Sequence, residues 1–304
     1  MLDWLRLVRL PNHATAAADV LAGFLVAAHW TGAAWPPAAC WLAVLASLCF
    51  YAAGMVLNDV EDVEIDRRER PERPLPRGAI GVGSAARVGQ GLLSGGTVAA
   101  CAAAITSGHA GPAAVGAGLT LAVWLYDRHA RRTPLGPAVM GACRGLNWLL
   151  GMTAAGGPTG RGEWLIPLGM AVYVAGITIY ARDEAGRSRR AGLATGLVVM
   201  AAGLVIAAGH AWLGDRAAAL PGGLRLQDWL LLWTLLCASI IGRGMGGVVA
   251  PVPRRVQAAV GNAIMSIITL DAAIVLAACG PRWALAVIAL VPLFLAGRRI
   301  VPPT

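Results

Sequence analysis

Asn58 to Asp66 reads NDVEDVEID, five acidic side chains in nine residues of a chain in which only 13% are charged. Continued as a helix, the stretch puts Asp59, Asp62 and Asp66 at i, i+3 and i+7, with Asn58 four residues before Asp62. These four side chains then share a face, while Glu61 and Glu64 point elsewhere. Like charges so spaced repel one another and need a cation or a basic partner to answer them. Oxygen donors of this kind suit Mg²⁺, which binds a few carboxylates, keeps waters and takes a substrate's phosphates. Directly downstream, RRERPERPLPRG supplies Arg67, Arg68, Arg70, Arg73 and Arg77, side chains that pair well with phosphate oxygens. Carboxylates and arginines beside an apolar run point to a lipid diphosphate. The plainer reading is a solvated cluster of mutually neutralising charges, and the ordered spacing at the end of an apolar run weighs against it.

The elements that must position these residues are membrane helices. Hydrophobic residues make up 57% of the chain and the mean hydropathy is +0.65, a poor fit to a water-soluble globule. A hydrocarbon core about 30 Å thick takes roughly 20 apolar residues per helix. Ten candidate runs occur, at 14–30, 38–57, 85–107, 110–126, 136–156, 164–181, 191–213, 228–249, 257–279 and 282–297, the last being the shortest. The first follows Arg6 and Arg9 but carries Asp19 at its centre, which favours a retained span over a cleaved signal. A single integral-membrane domain over 1–304 is expected. All 25 basic residues are Arg, and 20 of them fall on one side of the alternation if the N-terminus is cytoplasmic. That places the acidic stretch at the cytoplasmic face, and the Ala, Gly and Arg bias suits the plasma membrane of a bacterium. The net charge of +9 then belongs to a membrane face and gives no reason to expect nucleic-acid binding. Trp30, Trp35, Trp164, Trp212, Trp229 and Trp283 fall near outer ends of runs, where indoles anchor. The six Cys have no C-x-x-C spacing and read as small buried apolar residues.

Asn58-Asp59-x-x-Asp62-x-x-x-Asp66, followed by Arg73-Pro74-Leu75-Pro76 and Gly78, resembles the first aspartate-rich motif of the UbiA superfamily of intramembrane prenyltransferases. The likeness extends to the number and spacing of runs, to CRGLNWLLG (Cys143 to Gly151) and to a polar stretch after the sixth run. It implies an all-helical bundle of nine or ten spans around a central cavity, in which Mg²⁺ on Asp59, Asp62 and Asp66 binds a polyprenyl diphosphate. It further implies Asn58, Arg70, Arg73 and Arg182 as ligands or orienters at the diphosphate. The family's second acidic motif is only partly matched by YARDEAGRSRR, Tyr180 to Arg190. Arg182 and Asp183 fit its opening, but Gly186 and Arg190 stand where later acids belong. Asp183 and Glu184 are the carboxylates left to complete the metal site or take a proton from the acceptor. LPNHATAAADVLAG, CRGLN and YARDEA together are similar to the EboC branch of that superfamily, associated with bacterial secondary metabolism, where other proteins of the same pathway are possible partners.

Inside the runs, Asp19 and Asp271 must face the bundle interior, because a carboxylate at mid-bilayer costs about 2.5–3.5 kcal/mol. Arg144 and Asn147 are i, i+3 on one face, and pairing of Arg144 with Asp19 or Asp271 would neutralise a buried charge. Such pairs also serve packing alone, so substrate contact and structure stand about level. Tyr180 is a further candidate for the acceptor pocket. The expected activity is transfer of a prenyl group to an unidentified acceptor. A non-catalytic isoprenoid binder and a transporter are the rivals, the first because the second motif is degenerate, the second because of the buried charges.

Overall fold

The computed structural model describes residues 2–32, 37–182, 188–213 and 220–300; Trp35, Asp183, Glu184 and Arg187 lie outside the described residues. The described residues form helices without a strand. The N-terminal α1 (Leu2–Leu7) precedes α2 (His13–Thr31), α3 (Ala38–Glu69), α4 (Val82–Ser107), α5 (Gly111–Leu125), α6 (Gly136–Ala154) and α7 (Arg161–Ala181). Then come α8 (Arg190–Ala208), the single-turn α9 (His210–Leu213), α10 (Leu226–Val249), α11 (Pro253–Cys279), α12 (Pro281–Ile288) and α13 (Leu290–Ile300). Each of the ten apolar runs is helical. Among the described residues, eight helical segments are long and apolar enough to cross a membrane. Of the other two, α5 has only 15 residues and α6 is diluted by Arg144 and Asn147. The tenth run is broken at Ala289, three residues before Pro292, whose ring nitrogen has no N–H to give a continuing helix.

Helices satisfy their own backbone, which is what lipid requires of a spanning segment. Their ends follow local chemistry: Pro112, Pro137, Pro253 and Pro281 sit in first turns, where the missing N–H costs nothing. Side chains such as Ile105, 83% exposed, and Val198, Val205 and Leu231 face outward, where hydrocarbon would meet them. The core gathers α2, α3, α6, α7, α8, α10 and α11 around buried Phe24, Trp148, Met170, Tyr173 and Ile267. At the Asp-rich end a smaller cluster of Leu7, Val56, Val63, Leu75, Ile80 and Ala85 docks α1 and the segment after α3 onto α3 and α4.

Two glycines set the spacing on which the site depends. A Cβ on Gly151 would lie 2.1 Å from the Val20 carbonyl oxygen, and one on Gly23 would lie 2.5 Å from that of Trp148. Helices α2 and α6 therefore touch backbone to backbone, the close approach that small residues permit within a membrane. Trp229 corrects an expectation: it is fully buried, donates Nε1–H to the Ala273 carbonyl at 2.7 Å and stacks on Trp233, so it is core and not an interfacial anchor. Trp164 and Trp212 remain exposed.

Candidate active site

Helix α3 runs unbroken from the apolar run through the acidic stretch and ends at Glu69, which creates the shared face the spacing predicts. Asp59 and Asp66 are buried, Asp62 is half-buried, and Glu61 and Glu64 are exposed. Arginines from three other places answer the carboxylates. Arg131 donates to both oxygens of Asp62, at 2.5 and 2.6 Å, and to the backbone and side-chain oxygens of Asn58. Arg132 adds a bond to Asp62 at 2.9 Å. Arg9 reaches Asp59 at 3.3 Å from the linker before α2. Arg9 has φ of 50°, the one positive value on a non-glycine among the described residues. Such a backbone costs about 1–2 kcal/mol, and here it accompanies a side chain turned to the acidic face. Arg73 is buried, bonds Asp66 at 2.7 Å and lies 3.7 Å from Asp59.

Behind this mouth lies a cavity of about 180 Å³ between α2, α3, α5, α6 and α7. Its walls are mostly apolar, with Phe50, Met55, Leu119, Val123, Met140 and Val174 among them. Arg9, Asn58, Tyr126 and Asp127 line it near the acidic face; Ser47, Arg144 and Asn147 line it further in. From Asn58 to Phe50 on α3 the helix rises about 12 Å, the depth over which the lining changes from charged to apolar.

At the inner end, Asp19 of α2 accepts hydrogen bonds from Arg144 and from Asn147, the latter at 2.8 Å. Asn147 also donates to the Ala16 carbonyl at 3.0 Å. Asp19 is fully buried, and the close approach of Gly23 to Trp148 and of Gly151 to Val20 brings α6 near enough for both bonds. The sequence narrows the partner of Arg144 to Asp19 or Asp271, and the structure gives Asp19.

The remaining candidates are placed as follows. Tyr180 does not line the cavity: its hydroxyl donates to the Gly244 carbonyl at 2.8 Å in the packing of α7 against α8 and α10, so the acceptor-pocket expectation is corrected. Arg182 donates to the Thr133 carbonyl at 3.1 Å, which ties the end of α7 to the segment after α5. Arg70 caps α3 and is half-buried, outside the cavity lining. Asp183 and Glu184 fall outside the described residues.

Sequence reasoning missed Arg9, Tyr126, Asp127, Arg131 and Arg132 as site residues. The available signal was YDRHARR at the end of the fourth run, where Asp127 and Arg131 are four apart. The segment is a π-turn, Tyr126–Ala130, in which the Arg131 N–H reaches back to the Tyr126 carbonyl at 3.0 Å. Such turns recur at functional sites. Burial pushes the Asp127 carboxyl up to about 8, with Glu61, Asp62 and Asp59 adding to the rise and Arg131 opposing it.

The described helices enclose a largely apolar cavity closed at one end by carboxylates and arginines, an arrangement whose shape and charge suit an amphiphile with an anionic head. The model of the UbiA prenyltransferase family matches residues 18–267, and the chain belongs to that family. It is 31% identical over 217 residues to the digeranylgeranylglyceryl phosphate synthase of Halobacterium salinarum, covering 71% of this chain and 75% of that one. To the synthase of the same name from Methanoculleus marisnigri it is 42% identical over 93 residues. That match covers 31% of this chain and 32% of the relative, so the chain spans about a third of the length of that curated relative. A solved digeranylgeranylglyceryl phosphate synthase superposes with a TM-score of 0.64 at 21% identity, over 91% of this chain and 97% of that one. A UbiA homologue from Archaeoglobus fulgidus bound to GPP and Mg²⁺ superposes with 0.59 at 14% identity, over 90% and 99%.

Proposed function

We propose that the protein transfers a prenyl group from a polyprenyl diphosphate to a nucleophilic acceptor held in its cavity, with Mg²⁺ at the motif from Asn58 to Asp66. The feature that carries this reading is the mouth of the cavity, where Asn58, Asp59 and Asp62 meet Arg9, Arg131 and Arg132 at the head of an apolar chamber. The Archaeoglobus relative with GPP and Mg²⁺ supports the pairing of ligand and metal.

The donor set fits the metal. Among the described residues no three His, Cys, Asp or Glu side chains converge on one point, which disfavours an all-protein cage. A site that shares a few carboxylates with phosphate oxygens and water is the Mg²⁺ habit. Asp59 and Asp62 would hold the ion, with Asn58 orienting a ligand or its water. Asp66, tied to buried Arg73, supports the helix end and completes the acidic face. When bound, the ion would neutralise the diphosphate and act as a Lewis acid on it. The arginines that neutralise the carboxylates would turn to the phosphate oxygens, and Arg9 and Arg131 would stabilise the charge that grows as C1–O lengthens. Once turned to the bound diphosphate, donors held at the mouth of an apolar cavity would favour that charge more than water does, because the bond-breaking step needs no further reorganisation of them. The apolar walls receive the prenyl chain and keep water from the allylic cation. Asp183 and Glu184 are proposed to complete the metal site.

The relatives' names support a glyceryl lipid as the first acceptor to try, and geranylgeranylglyceryl phosphate is the matching probe. The sequences LPNHATAAADVLAG and CRGLN, whose Asp19, Arg144 and Asn147 are bonded together, support the narrower placement in an EboC-type branch of bacterial secondary metabolism. The arginine bias supports a plasma-membrane protein with its N-terminus and acidic motif cytoplasmic. A non-catalytic carrier of isoprenoids is the second reading, favoured by Gly186 and Arg190 in the second motif.

The deciding experiment incubates purified protein with labelled geranyl, farnesyl or geranylgeranyl diphosphate, with Mg²⁺ or EDTA, and follows retention and diphosphate release. Release that needs Mg²⁺ and is lost in Asp59→Ala and Asp62→Ala establishes the enzyme. Retention without release establishes the carrier, and neither overturns both.

A further inference from the structure

Among the described residues that line the cavity, Asp127 is the one carboxylate. It is buried, 6% exposed, and its Oδ2 is fully buried with no hydrogen-bond partner among the described residues. The other carboxylates near it are answered by a donor. Asp59, Asp62 and Asp66 at the mouth each have an arginine, and Asp19 at the inner end, whose Oδ1 is likewise unpartnered, is neutralised through Oδ2 by Arg144 and Asn147. A buried carboxylate oxygen left without a partner costs free energy, and among the described residues Asp127 caps no helix and joins no ion pair that would offset it. The π-turn that carries it follows α5 directly, so its position is fixed by packed helix. The groups around it are Arg131 on its own turn, Glu61, Asp62 and Asp59 on α3, and Arg9, Tyr126 and Cys143 on the shared cavity wall.

Prenyl transfer to a hydroxyl leaves one proton to be placed, and the cavity must hold the group that takes it. We propose that Asp127 is that catalytic residue, the proton acceptor for a hydroxyl nucleophile, an assignment that rests on the prenyl-transfer reading above. The acceptor oxygen forms its bond to C1 of the prenyl group, the C1–O bond to diphosphate breaks with its electron pair leaving on the diphosphate, and the hydroxyl proton passes to Oδ2 of Asp127. The products are an ether, diphosphate and a neutral carboxyl, which returns its proton to water at the mouth. The other polar lining groups are poorer candidates: Arg9 and Arg144 are cations, Asn58 and Asn147 are amides, and the hydroxyls of Ser47, Tyr51 and Tyr126 and the thiol of Cys143 are far weaker bases. A carboxyl that burial holds near 8 is a better match to neutral-pH proton transfer than an ordinary one.

The test compares wild type, Asp127→Asn and Asp127→Glu with geranylgeranyl diphosphate and Mg²⁺. Three quantities are read: retention of the diphosphate, transfer to geranylgeranylglyceryl phosphate, and formation of geranylgeraniol with water as the hydroxyl nucleophile. Asn is isosteric and needs no charge buried, so the fold is kept; matched retention verifies it. The expected result is unchanged retention, a loss of transfer or alcohol formation of about a hundredfold or more in Asp127→Asn, and partial recovery in Asp127→Glu. Turnover of Asp127→Asn within about threefold of wild type overturns the assignment and leaves the prenyl-transfer reading standing. Loss of retention in Asp127→Asn also overturns it, by making Asp127 a ligand of the diphosphate or its metal. Absence of both kinds of turnover in wild type overturns the prenyl-transfer reading, and the assignment falls with it.

Discussion

At the scale of the residue, the site is a balance of charges in which every acid of the motif's face already has a basic partner. Arg131 holds Asp62 by two bonds and Asn58 by two more, and the proposed function has it pass from carboxylate to phosphate. Arg131→Met is expected to lower diphosphate release by about a hundred- to a thousandfold, the range for removing one fixed donor to a developing anion; a release assay with saturating Mg²⁺ checks it. Asp127 makes a different prediction, about stability. Its folded carboxyl keeps its proton up to about 8, while in an unfolded chain it gives the proton up near about 4. Folding therefore takes up a proton between those values, and the stability it contributes at the acidic end is lost as pH rises through 8. Thermal midpoints of the metal-free protein in detergent should fall over that window, and Asp127→Asn should flatten the fall.

At the scale of the element, α2 and α6 are locked together by two close glycine contacts and one charged cluster, and each depends on the other. Gly151→Val would drive a side chain into the Val20 carbonyl. It should cost at least the 1–3 kcal/mol or so of ordinary overpacking and separate Asp19 from its donors; unfolding in detergent measures the loss. Arg144→Met alone leaves Asp19 buried without its cation, a change of about 3–5 kcal/mol. Asp19→Asn together with Arg144→Met should recover part of it. A double-mutant cycle with no coupling between the two positions would refute the pairing. In the same way α3 had to continue past the apolar run for its acids to face one another. The 32 residues of that helix turn a spacing in the sequence into a surface.

At the scale of the whole molecule, the cavity joins a charged mouth to an apolar interior, so on the proposed function an amphiphile is expected to bind by head and tail together or poorly. Geranylgeranyl diphosphate with Mg²⁺ should stabilise the protein by about 2.7 kcal/mol at a hundred times its dissociation constant. Diphosphate or Mg²⁺ alone should do little, and EDTA should reverse the effect in a thermal-shift series.

The sequence by itself determined what local periodicity and composition can specify. Apolar runs of membrane length could only be helices, because nothing else of that length hides its backbone in lipid. A spacing of three and four residues could only place Asn58, Asp59, Asp62 and Asp66 on one face. Arg144 announced a pairing with Asp19 or Asp271 because an isolated charge inside the bundle is too costly to keep. Tertiary structure decided which distant residues answer those faces. Arg9 and Arg131 lie 50 and 69 residues from their acidic partners, and although YDRHARR marks a charged turn at the end of its run, nothing along the chain says which acids either arginine reaches. Tyr180 looked polar and well placed, yet the approach of α10 took its hydroxyl for packing. Asp127 looked like one more charge at the end of a span, and only the convergence of α2, α3, α5, α6 and α7 around one cavity gives its carboxyl a place in the chemistry.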